Sequence, residues 1–224
     1  MLVGARVSHR RQATTPFHPS GVVTLGVTPQ SSVRPWSPDA YTAAMALGLQ
    51  WGAPLTYTDL QAMPDDGHRY ELVDGVLVVT PAPGKAHQRC VGRLTALLIA
   101  AAGAEHEVLV APFDYLVGPT TLLQPDLLVA RREDVGEARL ERPPLLVVEV
   151  LSPSTRLTDL GTKRLAYGAA GVPAYWLVDP HEPRLTVLAL HDGRYVSEAE
   201  VVADERHQAS YPFEVRVVPS ELVR

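Results

Sequence analysis

The order of patterned segments in this chain predicts an α/β fold: a central mixed β-sheet flanked by α-helices, with extra β-hairpins. Three observations lead there. Two helical patterns are interleaved with strand-like runs, two of those runs are almost wholly apolar, and two Asp-Gly pairs each lie between alternating segments. Interleaving of this kind favours α/β layers over a bundle or a repeat array.

Regular patterning begins near Thr58. Leu60 and Met63, after a Thr58 or Asp59 cap, predict a short amphipathic helix, and the Pro-Asp-Asp-Gly at 64–67 a turn. "RYELVDGVLVVTPAP" reads as two strands joined at Asp74-Gly75, the pair that type I′ turns favour. In "KAHQRCVGRLTALLIAAAG" the residues Val91, Leu94, Leu97, Leu98 and Ala101 share one helical face, and Gly103 ends the helix. "EVLVAPFDYLV", "LLQPDLLVA" and "PLLVVEVL" follow as three strand-like runs. The last two are nearly all apolar, as expected of central strands covered on both faces. "STRLTDLGTKRLAYGAAGVP" is a second helix, with Ser154, Thr155 or Thr158 as N-cap and Gly171 and Pro173 as its stop. "AYWLVDP" returns as a strand, and "RLTVLALHDGRYV" forms a hairpin around Asp192-Gly193.

Composition bounds the rest. The 224 residues suffice for one well-filled domain, expected over 51–224. Residues 1–50 carry four arginines against Asp39, a balance of +3 that leaves −8 for the remainder, and their Ser, Thr, Pro and Gly content predicts a disordered or extended arm. The net charge of −5 opposes a protein devoted to neutralising many phosphates, without opposing a local contact with nucleic acid. No stretch approaches the ~18 apolar residues of a membrane span, so no membrane partner is expected. Cys90 is the single cysteine, which excludes an intramolecular disulfide and makes the cytoplasm the expected compartment.

The common motifs are missing. "PAPGKA" lacks the leading glycine of a phosphate-binding loop, and there is no G-x-G-x-x-G, so no nucleotide cofactor is expected. A serine hydrolase on Ser152 or Ser154 has no G-x-S-x-G elbow, and "HEVLV" lacks the second histidine of a zinc helix.

What remains is carboxylates in strands. Glu149 interrupts the apolar run Leu145–Leu151, and an unpaired charge buried there would cost several kcal/mol, so a partner is required. Asp126 stands at the mouth of the preceding apolar run; if the two strands are neighbours, both carboxylates reach one spot. A hard ion such as Mg²⁺ is the natural guest of two such groups. Asp159, Lys163 and Tyr167 are spaced four apart on one helical face, with Leu157, Leu160 and Leu165 making apolar contacts elsewhere. Each member also has a plainer reading. A strand-entry Asp is a common turn residue, and Asp159–Lys163 suits a solvated ion pair.

The segments "DGHRYELVDGVLVVTPAPGKAHQ", "QPDLLVA" and "VVEVLSPSTRLTDLGTKRLAYGAAGVPAYWLVDP" closely resemble the Uma2 family, a domain of unknown function within the PD-(D/E)XK restriction-endonuclease-like superfamily. The resemblance covers roughly residues 57–190. It implies a restriction-endonuclease-like core and a Mg²⁺- or Mn²⁺-dependent nuclease site acting on DNA. By the same resemblance, Asp126 matches the Asp of "PD", Glu149 the acidic residue of the (D/E)XK element, and Glu71 the acidic residue upstream, the three forming the metal set. Leu151 occupies the place of the motif lysine, and Lys163 on the following helix takes its role. His87 and Gln124 fall where the family is polar, and Asp159 and Tyr167 would support Lys163. For His87 a hydrogen bond at the helix start is expected ahead of metal ligation. A fold-retaining module that binds DNA or protein without cutting is the competing reading. Homodimerisation would present two sites to a duplex.

Overall fold

The computed structural model describes residues 53–63, 69–80 and 82–224, and the backbone of Val23–Thr24. The rest of the expected arm over 1–50 and the expected turn at 64–67 lie outside the described residues. In chain order the strands are β1 (Val23–Thr24), β2 (Arg69–Val73), β3 (Val76–Thr80), β4 (His106–Val110), β5 (Asp114–Gly118), β6 (Thr121–Leu123), β7 (Leu127–Arg131), β8 (Arg139–Leu140), β9 (Leu146–Val150), β10 (Ala174–Asp179), β11 (Arg184–His191), β12 (Arg194–Val202), β13 (His207–Ala209) and β14 (Val215–Val217). The helices are α1 (Tyr57–Gln61), α2 (Lys85–Ala101), α3 (Arg156–Thr158), α4 (Arg164–Ala169) and α5 (Pro219–Val223), with a π-helical turn, Asp159–Lys163, joining α3 to α4.

These strands build two mixed six-stranded sheets. One runs β1-β3-β2-β6-β5-β8 and the other β12-β11-β10-β9-β7-β4, while β13 and β14 pair separately. Each sheet contains one parallel pairing, β5 with β8 and β9 with β10, among antiparallel neighbours. The expected α/β architecture of mixed sheet and flanking helices is therefore present, and β7 and β9 are central strands as their apolar runs predict.

Alternation along β9 divides the core into layers. Leu146, Val148 and Val150 pack with Cys90, Leu94 and Leu98 of α2 and with Val217 and Leu222. Val147 points the other way, into a second cluster with Val73 and Val78 of the first sheet and with Tyr167 and Tyr175. Glu149, two residues after Val147, shares that second face. Leu55, Leu72, Leu77 and Leu122 form a smaller third cluster under α1.

Both Asp-Gly hairpins form as expected. Asp74 and Gly75 have φ of 50° and 77°, and Asp192 and Gly193 have 48° and 75°, the positive values that a type I′ turn demands at both central residues. The structure differs from expectation in four places. The run at 107–117 is two strands, β4 in one sheet and β5 in the other, divided at Pro112; β6 and β7 divide likewise at Pro125. A proline has no N–H to continue a ladder, so each run can change sheets there. The cap of α1 is Thr56, two residues before the first of the expected positions. Its hydroxyl accepts from the Asp59 N–H while the Asp59 carboxylate accepts from the Thr56 N–H, a capping box. Finally, Leu157 and Leu165 are 87% and 75% exposed, so they make no core contact; the face turned inward by the π turn carries Asp159 and Lys163 instead.

Candidate functional site

Four carboxyl groups and two permanent cations meet between the two sheets. Glu149 comes from β9, Glu71 from β2, Asp126 from the entry to β7, and Asp159 and Lys163 from the π turn. β7 and β9 are antiparallel neighbours with Leu127 opposite Val148, so the next position along sets Asp126 beside Glu149. The condition on which the two carboxylates converge is thus met by strand order.

Lys163 is the hub. Its Nζ stands 3.0 Å from Glu71 Oε1 and 3.1 Å from Glu149 Oε1, with Asp159 Oδ1 at 3.7 Å. The Tyr167 hydroxyl donates to the same Glu149 oxygen at 2.9 Å, and the Gln124 N–H donates to Glu71 Oε1 at 2.8 Å. The Gln124 amide donates in turn to Asp114 Oδ1 at 2.7 Å, which fixes the loop before β7. A π turn adds one residue to a helical turn and recurs at functional sites. Here it turns both Asp159 and Lys163 inward, and the Tyr175 hydroxyl donates to the Asp159 carbonyl at 2.9 Å.

Asp126 is held separately. Its Oδ1 accepts from Arg69 Nη1 at 3.1 Å, and its Oδ2 accepts from the Val150 N–H at 2.9 Å and lies 2.9 Å from His87 Nε2. His87 sits in the first turn of α2, whose N-cap Gly84 makes no side-chain capping bond, and its ring bonds to Asp126 at the entry to β7 rather than to the helix start. Arg69 is the member that sequence reasoning missed. The signal was available: in the strand "RYELV" Arg69 and Glu71 are two apart and share a face.

Burial sets the charge states. It pushes the Glu149 carboxyl well above its ordinary value, against the attraction of Lys163, and pushes Asp159 up to about 6. The Asp126 carboxyl moves the other way: burial would raise it, but the His87 hydrogen bond and the Arg69 charge more than offset that and hold it well below the carboxylate range. Lys163 is likewise opposed by burial, yet Glu149, Glu71 and Asp159 keep its pKa above the ordinary lysine value. Lys163 is therefore held as an ammonium, a hydrogen-bond donor. Both Asp159 and Lys163 are 1% exposed, which excludes the solvated surface pair.

The oxygen donors are of the type that Mg²⁺ or Mn²⁺ takes, and Glu71 Oε2 is a buried acceptor with no hydrogen-bond partner. Their arrangement is less accommodating. No group of three or more His, Cys, Asp or Glu side chains among the described residues is disposed to hold a metal ion. The negative charge is met by Lys163 and Arg69. Among the described side-chain contacts Ser152 bonds to the hydroxyls of Ser154 and Thr155 and to the Thr155 N–H, and none of these partners is a histidine.

Comparison with known proteins agrees with this architecture. A crystal structure described as a "putative nuclease belonging to DUF820 from Anabaena variabilis ATCC 29413" superposes with a TM-score of 0.60 at 17% identity, covering 76% of this chain and 98% of that one. At that identity the likeness is one of fold. No curated protein matches the chain. No helix among the described residues is long and apolar enough to cross a membrane. Residues 57–216 match the Uma2 family, described as "Putative restriction endonuclease", a match that includes every residue of the cluster. The chain belongs to the Uma2 family of the PD-(D/E)XK-like superfamily.

Proposed function

We propose that this protein is a divalent-metal-dependent nuclease that hydrolyses phosphodiester bonds of DNA. The observation that carries the reading is the convergence of Asp126, Glu149, Glu71 and Lys163 from four separate elements on one buried cluster. Family membership supports it at the level of fold. Asp126, Glu149 and Glu71 would hold Mg²⁺ or Mn²⁺. When bound, such an ion polarises the phosphate and lowers the pKa of its water.

The chain's own residues have distinct tasks. Lys163, kept as an ammonium, donates hydrogen bonds and so orients an attacking water or steadies charge developing on phosphate oxygens. Tyr167 and Asp159 set the position of Glu149 and Lys163, and His87 and the Val150 N–H fix the rotamer of Asp126. The Gln124 N–H does the same for Glu71. The lone, buried Cys90 suits a reducing compartment, and we place the reaction in the cytoplasm, with a homodimer offering two such sites to a duplex.

One observation favours a second reading, a nuclease-fold module that binds DNA or protein without cutting. The carboxylates are already engaged by internal cations. Purified protein incubated with supercoiled and single-stranded DNA, in Mg²⁺ and in Mn²⁺, separates the two. Cleavage abolished by Asp126→Asn and by Glu149→Gln supports the nuclease. Absence of cleavage in every cation, together with a thermal midpoint indifferent to Mg²⁺, assigns the fold to binding alone.

A further inference from the structure

The segment from α3 through the π turn to α4 presents two stripes on opposite sides. Thr155, Asp159, Lys163 and Tyr167 are buried, each four residues after the last. A π turn takes more residues than an α turn, so a spacing of four runs nearly straight along this segment. Half a turn away, Leu157, Gly161, Leu165 and Ala169 form the outer stripe, with Leu160 beside it. Leu157 is 87% exposed, Leu165 75% and Leu160 39%, a gathering of large apolar side chains on one short segment. No side chain among the described residues covers them.

Gly161 marks the middle of that stripe. It lies four residues from each of Leu157 and Leu165, and a Cβ built there would meet no atom within 4 Å. Packing inside the chain therefore does not call for glycine at this position, where its conformational freedom weakens a helix. What a glycine does provide is room for a second backbone to come close.

The sequence about Gly161 is self-complementary, as a two-fold contact requires. When two copies cross antiparallel with the axis at Gly161, Leu157 of one meets Leu165 of the other, Leu160 meets Thr162, and Arg164 meets Thr158, so no like charges oppose. Nucleic acid is the poorer occupant, because the flanking arginines are turned back into their own fold. Arg156 Nη1 donates to Asp179 Oδ2 at 2.5 Å and Arg164 Nη2 to the Tyr195 carbonyl at 2.9 Å, which leaves leucines alone on the ridge.

We propose that the ridge of Leu157, Gly161 and Leu165 is the interface of a two-fold homodimer, in which two copies of the α3–α4 segment cross antiparallel at Gly161. The proposal deepens the homodimer of the proposed function and rests on that part of it alone. Asp159 and Lys163 lie on the inward stripe of the same segment, so the contact braces from outside the turn that holds Lys163 against Glu149. A contact built on a few leucines belongs to the smaller, reversible class, below about 1,200 Å² in total.

The test is sedimentation velocity on the full chain from about 1 to 100 μM, a range in which contacts of this class dissociate. Wild-type protein should pass from monomer to dimer. Leu157→Lys and Leu165→Glu should each weaken dimerisation roughly tenfold or more, and the double variant should recover part of that loss, since each new charge then faces its opposite across the axis. Both positions are exposed, so the variants should keep the circular dichroism of the wild type. Gly161→Cys should form a disulfide-linked dimer under mild oxidation and Ala169→Cys should not, with the buried Cys90 taking no part. A monomer at every concentration overturns the proposal and the homodimer with it, and leaves the nuclease reading intact. Dimers indifferent to these substitutions, or a double variant that recovers nothing, overturn the proposal alone. A monomer whose affinity for a DNA duplex falls in Leu157→Ser assigns the ridge to DNA and likewise overturns it.

Discussion

The Lys163 ammonium lies 3.1 Å from the Glu149 carboxylate, and both side chains are 1% exposed. Neither could be buried alone. Removing Lys163 leaves Glu149, Glu71 and Asp159 facing one another, so Lys163→Met should cost about 3–5 kcal/mol in urea denaturation. Glu149→Gln in the same background should recover part of that loss, giving a coupling of about 1–3 kcal/mol in the double-mutant cycle. Additive losses would mean that the two groups do not share one electrostatic site.

Tyr167 donates to the oxygen of Glu149 that also meets Lys163. Tyr167→Phe keeps the ring and its packing against Tyr175 but deletes this hydrogen bond. DNA cleavage should fall by about 10–100-fold, the usual effect of freeing a supported carboxylate. The thermal midpoint should move only slightly, and an unchanged cleavage rate would show that Glu149 needs no such support.

Asp159 carries a pH signature. Burial pushes its carboxyl up to about 6 from 3.8, so the folded protein binds this proton more tightly than the unfolded chain does. Stability is therefore highest with the group protonated, below about pH 4, and is lost as pH rises towards 6. Relative to Asp159→Asn, the wild type should lose on the order of 2–3 kcal/mol across that window, measured by urea denaturation in EDTA. Parallel curves for the two proteins would place Asp159 in a more solvated setting.

Gly75 is required by close approach as well as by its φ of 77°. A Cβ there would stand 2.3 Å from Pro54 Cβ, and the Gly75 carbonyl accepts from the Leu55 N–H at 2.9 Å, so the strap over the first hairpin leaves no room. Gly75→Ala should destabilise by about 1–3 kcal/mol. Gly193, with φ of 75° and open space at its Cβ position, bears only the conformational penalty. Its alanine variant should lose less, about 1 kcal/mol, in parallel denaturation curves.

Much of the fold was legible because local signals and tertiary environment agree. The α2 face, the two Asp-Gly hairpins and the apolar runs of β7 and β9 each follow from periodicity or turn chemistry. Glu149 was legible for the opposite reason: a charge in an apolar strand conflicts with its surroundings and so points to a partner. Lys163 at four residues from Asp159 was recognisable as a face able to reach Glu149 if its helix packs on that sheet, while the outward turn of the neighbouring leucines was not. The exposed Leu157 and Leu165 show why, since the π turn rotates the helix away from the pattern that a regular 3.6-residue period would present.

Arg69 illustrates the other limit. Its place beside Glu71 follows from strand alternation, but its contact with Asp126, 57 positions further on, depends on how the two sheets face each other. The division of two strand runs between sheets at Pro112 and Pro125 is of the same kind: a proline interrupts a ladder, and which sheet each half then joins is decided by long-range pairing. The amino-acid sequence by itself determined the element types, the hairpin turns and the identity of the acidic residues in strands. Only the tertiary structure decided which charges meet, because buried ion pairing depends on distances of about 3–4 Å between residues that strand order and sheet packing bring together.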